Sequence, residues 1–301
     1  MKKASFITIK AIILLFFISC SEEESDTNEV CTIGNSIIQV DKFIEKLQTT
    51  HPGNLPTTRS YEYSYNEYNL LEEKNEYTFD YSIYRKFSYS CGNNIDEVVN
   101  DSNSLKYEYT YNEDGKIIAY KTTNSYLHDY TLSYYDNRVT ITGTINKEEN
   151  TTLILETNLD GLVTKIERED NYYSLFDYDT NGNLIRAKDF DESNTLIRDY
   201  EVEYDANPNP FNQQFNSAYI QKFIEYFSDS AFQGIDIFFR FNQFDFPYLK
   251  NNPVLLVDKS CTLCYSNLLE RTFTYNSENY PIKMEESYVG APPVVYEYFY
   301  K

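Results

Sequence analysis

The residues able to do chemistry in this sequence fall into four groups. Cys261-Thr262-Leu263-Cys264 is a CxxC, which acts as a redox dithiol when it opens a helix in a βαβ setting and as half of a zinc site when two further ligands stand nearby. The two histidines, His51 and His128, have no matching spacing. Structural disulfides are therefore expected among Cys31, Cys91, Cys261 and Cys264, with three connectivities open. Asp177, Asp179, Asn181, Gly182 and Asn183 have the spacing of the opening of a calcium loop, but the twelfth position is Lys188 where a bidentate Glu is needed. A strand end followed by a hairpin turn explains the same residues. Asp189 and Asp191 form a carboxylate pair, expected to be solvated in a polar connection. Tyr107, Tyr109 and Tyr111 form a row on one strand face. Such rings, each carrying a hydroxyl, either line a groove for a sugar or protein partner or pack a sheet interior as cross-strand pairs. No Ser-His-Asp order, GxSxG, HExxH or phosphate loop is present. The expectation is a non-enzymatic protein with no cofactor and no metal.

The elements that must position these residues are written in a repeat. An alternating aromatic run leads into Asn or Asp, two variable residues, Gly or Asn, one more residue and an aliphatic. It stands as Tyr65-Asn66 to Leu71, Tyr111-Asn112 to Ile117, Thr157-Asn158 to Val163 and Tyr178-Asp179 to Leu184. Weaker copies begin at Tyr135-Asp136, Tyr204-Asp205 and Tyr275-Asn276. Asn and Gly at the fourth place supply the positive φ of short hairpin turns. The flanks alternate with period two, as in Tyr61-Glu62-Tyr63-Ser64-Tyr65, placing Tyr on one face and polar residues on the other. The fold class expected is all-β, β-rich with one or two short helices. It is a long antiparallel meander of repeated hairpins, forming a curled sheet or a partly closed shell.

This pattern resembles the YD repeat of Rhs-type proteins and the YD-like outer-membrane lipoproteins of Bacteroidetes, over about residues 59 to 301. Tyr111-Asn112 through Gly115-Lys116-Ile117 and Tyr178-Asp179 through Gly182-Asn183-Leu184 carry the likeness. Asn209-Pro210-Phe211, answered by Asn251-Asn252-Pro253, is a second point of similarity. The resemblance implies a wrapping β-sheet or shell with no defined activity. Residues 206–262 interrupt the rhythm as an insert. Within it Ile220, Phe223, Ile224 and Phe227 have helical spacing, and near the start Ile37, Val40, Phe43, Ile44 and Leu47 suggest a second short helix covering a sheet edge.

The address is also readable. Lys2 and Lys3 precede an apolar run from Ala11 to Ile18, too short to span a bilayer, so residues 1–19 read as a signal peptide. The run ends in Phe17-Ile18-Ser19-Cys20, which resembles a bacterial lipobox, and Cys20 is the expected lipidation site. Ser21, Glu22, Glu23, Glu24, Ser25 and Asp26 follow as a solvated tether, similar to the acidic export signal of surface lipoproteins. Residues 20–58 are thus read as tether and short N-terminal segment, and 59–301 as the repeat domain. The chain of 301 residues carries 47 acidic against 26 basic side chains, for a net charge of −21. That balance excludes nucleic acid as a partner and gives no electrostatic hold on an anionic membrane. The partners expected are the membrane, reached through the N-terminal lipid, and a glycan or another envelope protein. The function expected is a lipid-anchored, surface-exposed structural or binding module of the outer membrane. The alternative is a carbohydrate-binding accessory lipoprotein using the Tyr-rich strand faces. Replacing Cys20 by Ala is expected to move the protein from the membrane fraction to the soluble fraction, read by immunoblot after ultracentrifugation; unchanged membrane retention would remove the lipid from the account.

Overall fold

The computed structural model describes residues 40–47, 57–78, 80–90, 94–101, 104–123, 127–145, 147–212, 214–227, 248–260, 267–288 and 292–301. They form 18 strands. The first nine are β1 (Val40–Leu47), β2 (Thr57–Tyr65), β3 (Leu71–Tyr77), β4 (Ser82–Tyr89), β5 (Ile95–Asn100), β6 (Leu105–Tyr111), β7 (Ile117–Thr123), β8 (His128–Tyr135) and β9 (Arg138–Ile145). The rest are β10 (Glu148–Thr157), β11 (Val163–Arg168), β12 (Tyr173–Tyr178), β13 (Leu184–Phe190), β14 (Leu196–Pro208), β15 (Asn251–Asp258), β16 (Asn267–Tyr275), β17 (Pro281–Tyr288) and β18 (Val294–Tyr300). Each pairs antiparallel with its successor. β18 pairs in turn with β1 from Val294↔Leu47 to Tyr300↔Val40. The antiparallel hairpin meander expected from the sequence therefore curls round on itself into a barrel-like sheet. Closure removes the exposed edges that an open sheet would present.

The closing strand is where a helix was expected. Val40–Leu47 is β1, hydrogen-bonded to β18 on one side and β2 on the other. A short apolar-polar segment satisfies helical and strand periods equally well, and two open ladders offer it backbone partners that a surface helix lacks. It does cover a sheet edge, but by pairing with it.

The repeat motif is the turn from an even strand to the next odd one. Asn66 accepts a hydrogen bond from Asn69 N at 3.0 Å and donates its own N–H to Leu70 O at 2.9 Å. Its Oδ1 accepts the amides of Tyr68 and Leu70, both at 3.0 Å, and Asn69 sits at φ 60°. This is a three-residue loop ending in a left-handed residue and a bulge. Asn112 with Gly115, Asn158 with Gly161, Asp179 with Gly182 and Asn276 with Asn279 repeat it. The Asp and Asn of the motif are thus turn caps, and Asp179 has this role in the calcium-like segment. Asp191 builds the same turn at the opposite mouth.

The tyrosine of the motif has a separate task. Tyr89 OH, at the end of β4, donates to Leu71 O at the start of β3 at 2.7 Å. Tyr65 reaches Val40 O, Tyr111 Ile95 O, Tyr134 Ile117 O, Tyr178 Val163 O, Tyr204 Leu184 O and Tyr300 Pro281 O, at distances from 2.6 to 3.0 Å. Each bond ties one hairpin to its neighbour, and together they make a girdle at one mouth. Inward-facing Leu71, Ile95, Ile117, Val139, Val163 and Leu184, the aliphatic ends of the motif, are buried beside it.

Alternation sorts the two faces. Tyr61, Tyr63, Phe87, Tyr109, Tyr130, Leu132, Ile141, Leu155, Phe176, Val202, Tyr296 and Tyr298 belong to the interior cluster. The outer wall carries ion pairs such as Lys106–Glu108 at 2.8 Å, Lys121–Asp129 at 3.3 Å and Lys283–Glu285 at 2.5 Å. A membrane-spanning barrel has the reverse arrangement, an apolar band outside and a polar lumen.

Three substitutions separate these contributions. Tyr89→Phe is expected to cost about 1–2 kcal/mol in urea unfolding by leaving Leu71 O unmet, while Tyr135→Phe on the 78% exposed Tyr135 changes nothing measurable. Gly143→Ala is expected to cost about 3 kcal/mol or more, because φ is 145° and a Cβ would lie 2.3 Å from Asp129 O; wild-type stability in that variant would contradict the close approach of β8 and β9.

Candidate functional site

A ring of 16–18 strands leaves an open channel unless something fills it. Here the connection between β14 and β15 does the filling. Its described part comprises a 3-10 turn (Asn216–Ala218) and the helix α1 (Tyr219–Phe227), confirming the helical reading of that stretch. Gln214 Oε1 accepts Leu71 N at 3.1 Å on β3, Ser217 Oγ accepts Ile95 N at 3.4 Å on β5, and Tyr219 OH accepts Val163 N at 3.1 Å on β11. These amides belong to the same residues whose carbonyls the tyrosine girdle holds. Phe211 packs on Tyr63, Phe215 on Phe87 and Phe223 on Phe176, with centroids 5.7, 5.0 and 4.8 Å apart. Contacts with walls as distant in the ring as β2 and β12 place this described part of the insert inside the barrel.

The neck of the insert explains the Asn-Pro segments. Asn252 Nδ2 donates toward Asp205, Asn207 O and Pro208 O at 3.2–3.3 Å. Asn209 and Asn212 donate to Leu249 O at 2.9 and 3.1 Å, and Asn183 Oδ1 accepts the amides of Lys250 and Asn251. Asparagine suits a neck because one side chain both donates and accepts. At β16 the girdle position, Tyr275, bonds Asp205 in this clamp.

The predicted row Tyr107, Tyr109 and Tyr111 lies on β6 and faces the insert. Tyr109 is buried, with its OH 3.5 Å from Gln221 Oε1; Tyr111 belongs to the girdle. Tyr107 is half-buried and stacks on Tyr120 at 6.3 Å. Tyr120 also meets Tyr109, Tyr130 and His128, at 5.0, 5.3 and 5.7 Å. Opposite this aromatic wall, α1 presents Glu225, whose Oε2 accepts Lys222 Nζ at 3.0 Å and Gln221 Nε2 at 3.1 Å. Burial pushes Glu225 up, but Lys222, Gln221 and His128 outweigh it and the carboxyl lies below its ordinary range. Burial lowers the His128 imidazole against the pull of Glu225. Burial likewise raises the phenols of Tyr109, Tyr120 and Tyr130 well above their ordinary range, so all three are neutral donors. Glu225 and Lys222 are site residues that sequence reasoning misses, because they lie off the apolar stripe of Ile220, Phe223, Ile224 and Phe227.

A second feature is a cleft of about 260 Å³ at the girdle mouth, lined by Lys116, Tyr134, Asp136, Thr157, Ser217 and Tyr219 among others. Lys116 Nζ lies 5.2 Å from the Tyr134 ring centre. The cleft offers hydrogen bonds and a cation. Among the described residues no group of His, Cys, Asp and Glu is arranged to hold a metal. Cys20, Cys31, Cys91, Cys261, Cys264 and His51 lie outside the described residues.

No family model matches this chain, and no curated protein matches it. Among solved structures it is similar to a porin-like protein from Bacteroides uniformis, at 12% identity over 87% of this chain and 98% of that one, with a TM-score of 0.47. It is also similar to chains in the crystal structures of TcdB2-TccC3-TEV and TcdB2-TccC3-Cdc42, at 10% identity. The matches take in 80% and 83% of this chain but 13% and 15% of those chains, with TM-scores of 0.26 and 0.19. All three scores lie below 0.5, and the account of the fold rests on the strand pairings.

One inner-wall acid departs from its expected setting. Asp189 is 5% exposed on β13 rather than solvated in a connection, and Ser174 Oγ donates to it at 2.7 Å. Burial, opposed by Ser174 and Arg198, pushes its carboxyl up to about 6. The folded state therefore holds this proton more tightly than the unfolded chain, and stability falls as pH rises from about 4 through about 6. Asp189→Asn is expected to flatten that fall and to gain up to about 3 kcal/mol at pH 8, measured by urea unfolding across pH; an unchanged profile would refute the buried-acid account.

Proposed function

We propose that this chain is a lipid-anchored, non-enzymatic binding module of the bacterial cell envelope, held at the outer membrane through Cys20 with its barrel outside the bilayer. The observation carrying this reading is the orientation of the barrel wall. Charged pairs such as Lys121–Asp129 and Lys283–Glu285 face outward while the aromatic residues face an interior that α1 partly occupies. A charged side chain at the lipid face costs about 2–4 kcal/mol at the bilayer midplane. The wall is thus built for water on its outer side, and attachment falls to the lipid at Cys20 and the acidic tether after it. The non-enzymatic reading is supported by the chemistry of the interior. Glu225 engages Lys222 and Gln221 through Oε2, and the phenols of Tyr109, Tyr120 and Tyr130 around it are held neutral by burial.

The carbohydrate-binding alternative is favoured by one observation, the aromatic wall around Tyr120 facing hydrogen-bonding groups on α1. The row predicted from sequence then contributes from inside the barrel.

Labelling intact cells with a membrane-impermeant amine reagent tests the placement. Lys121 and Lys283, whose side chains are 55% and 43% exposed, are expected to be modified at the same level in intact and lysed cells. Modification only after lysis would put the barrel on the periplasmic face, and ohmic conductance steps from purified protein in planar bilayers would overturn the non-pore reading.

A further inference from the structure

We propose that the lumen beside α1 is a binding chamber for a single neutral pyranose, with Tyr107 as the stacking ring and Glu225 and Lys222 as its polar contacts. This deepens the binding-module reading and rests on it.

The geometry begins with space. Glu225 and Lys222 retain 31% and 26% of their side-chain exposure, although α1 lies inside the barrel against Tyr109, Phe176 and Val163. Exposure at such a position means the lumen is open beside this pair. Both hydrogen bonds to the carboxylate fall on Oε2, and Oε1 accepts none from the described residues. An acceptor thus faces the opening with a lysine donor next to it. Across from them Tyr107 is half-buried, and its neighbour Tyr120 is fully buried at 1% exposure. Tyr120, Tyr109, Tyr130 and His128 form a rigid backing, and Tyr107 is the accessible ring of the group.

The charges select the ligand. Charges of both signs act on Tyr107, Glu225 against Arg85 and Lys222, so a lone cation stacked on that ring meets two like charges. Glu225 opposes an anion at the same place. An apolar ligand would strip water from an ion pair without replacing its hydrogen bonds. A neutral ligand carrying hydroxyls fits on all three counts. Its hydroxyls donate to Glu225 Oε1 and accept from Lys222 Nζ, and its C–H face covers the Tyr107 ring. A pyranose has a flat C–H face and an equatorial ring of hydroxyls.

Saturation-transfer NMR on the full chain in detergent tests this, with glucose, galactose and N-acetylglucosamine as neutral probes, glucuronate as the anion and choline as the cation. The expected result is transfer to at least one neutral sugar. Affinity should fall at least tenfold in Glu225→Met and in Tyr107→Ala and stay unchanged in Tyr135→Ala, with folding of each variant verified by circular dichroism. Lys222→Gln serves as a second polar variant, with a loss of at least threefold expected, should Glu225→Met fail to fold. No transfer to the three sugars with folded wild-type protein would overturn the chamber, as would transfer to glucuronate or choline alone, or binding indifferent to the lumen variants. Membrane fractionation of Cys20→Ala reads the anchor independently, so loss of the chamber and loss of the envelope reading are told apart.

Discussion

At the girdle mouth, the first residue of an odd strand stands just before a bulge, where the ladder skips one residue, Glu72 after Leu71 or Ile118 after Ile117. Its backbone groups must be met by something other than a regular ladder, since a buried polar group without a partner costs about 1–3 kcal/mol. The carbonyl goes to a tyrosine hydroxyl from the following even strand. At Leu71, Ile95 and Val163 the amide goes to Gln214, Ser217 and Tyr219 of the insert. One local defect of the hairpin therefore specifies two things at once: the aromatic residue that precedes each turn, and a docking point for what fills the barrel. Phenylalanine would pack equally well but cannot donate, so tyrosine predominates at these positions.

The same constraint links wall, insert and neck. A ring this wide needs an internal body, and the described part of that body enters at the girdle mouth, between β14 and β15. There Asp205 accepts Tyr275 in place of a strand carbonyl, and the asparagines at positions 183, 209, 251 and 252 hold the incoming and outgoing chain together. Because the interior is filled from within the sequence, the outer wall is left to charge. Acids such as Glu108, Asp129 and Glu285 then lie on the outer face, and Glu67, Asp114 and Asp160 at turn tips, where like charges repel neighbouring copies.

Much of this was legible in the sequence, for a physical reason. Turn chemistry is local: Asn112 to Ile117 contains everything its hairpin needs, and so the repeat, its strands and the position of the insert could be read directly. Tyr61, Tyr63 and Tyr65 announced an alternating face in the same way. What escaped was set by distant partners. Val40–Leu47 is a strand because β18 and β2 wait on either side. Asp189 looked like one more surface acid because burial beneath Ser174 depends on a strand pairing that local sequence does not state. Glu225 and Lys222 lay off the apolar stripe of α1, where a helix usually meets water; a helix enclosed by a barrel turns that polar face toward the wall.

The pairing of Val40 with Tyr300 has a topological meaning. Every strand, including the first and last, has a neighbour on each side, so the order of strands is a cycle and the covalent start is only one of several places to cut it. Joining Val40 to Tyr300 by a short linker and opening the chain at the Asp170–Asn171 loop would describe the same ladder from another origin. In such a permuted chain both new ends would lie at the mouth opposite the tyrosine girdle.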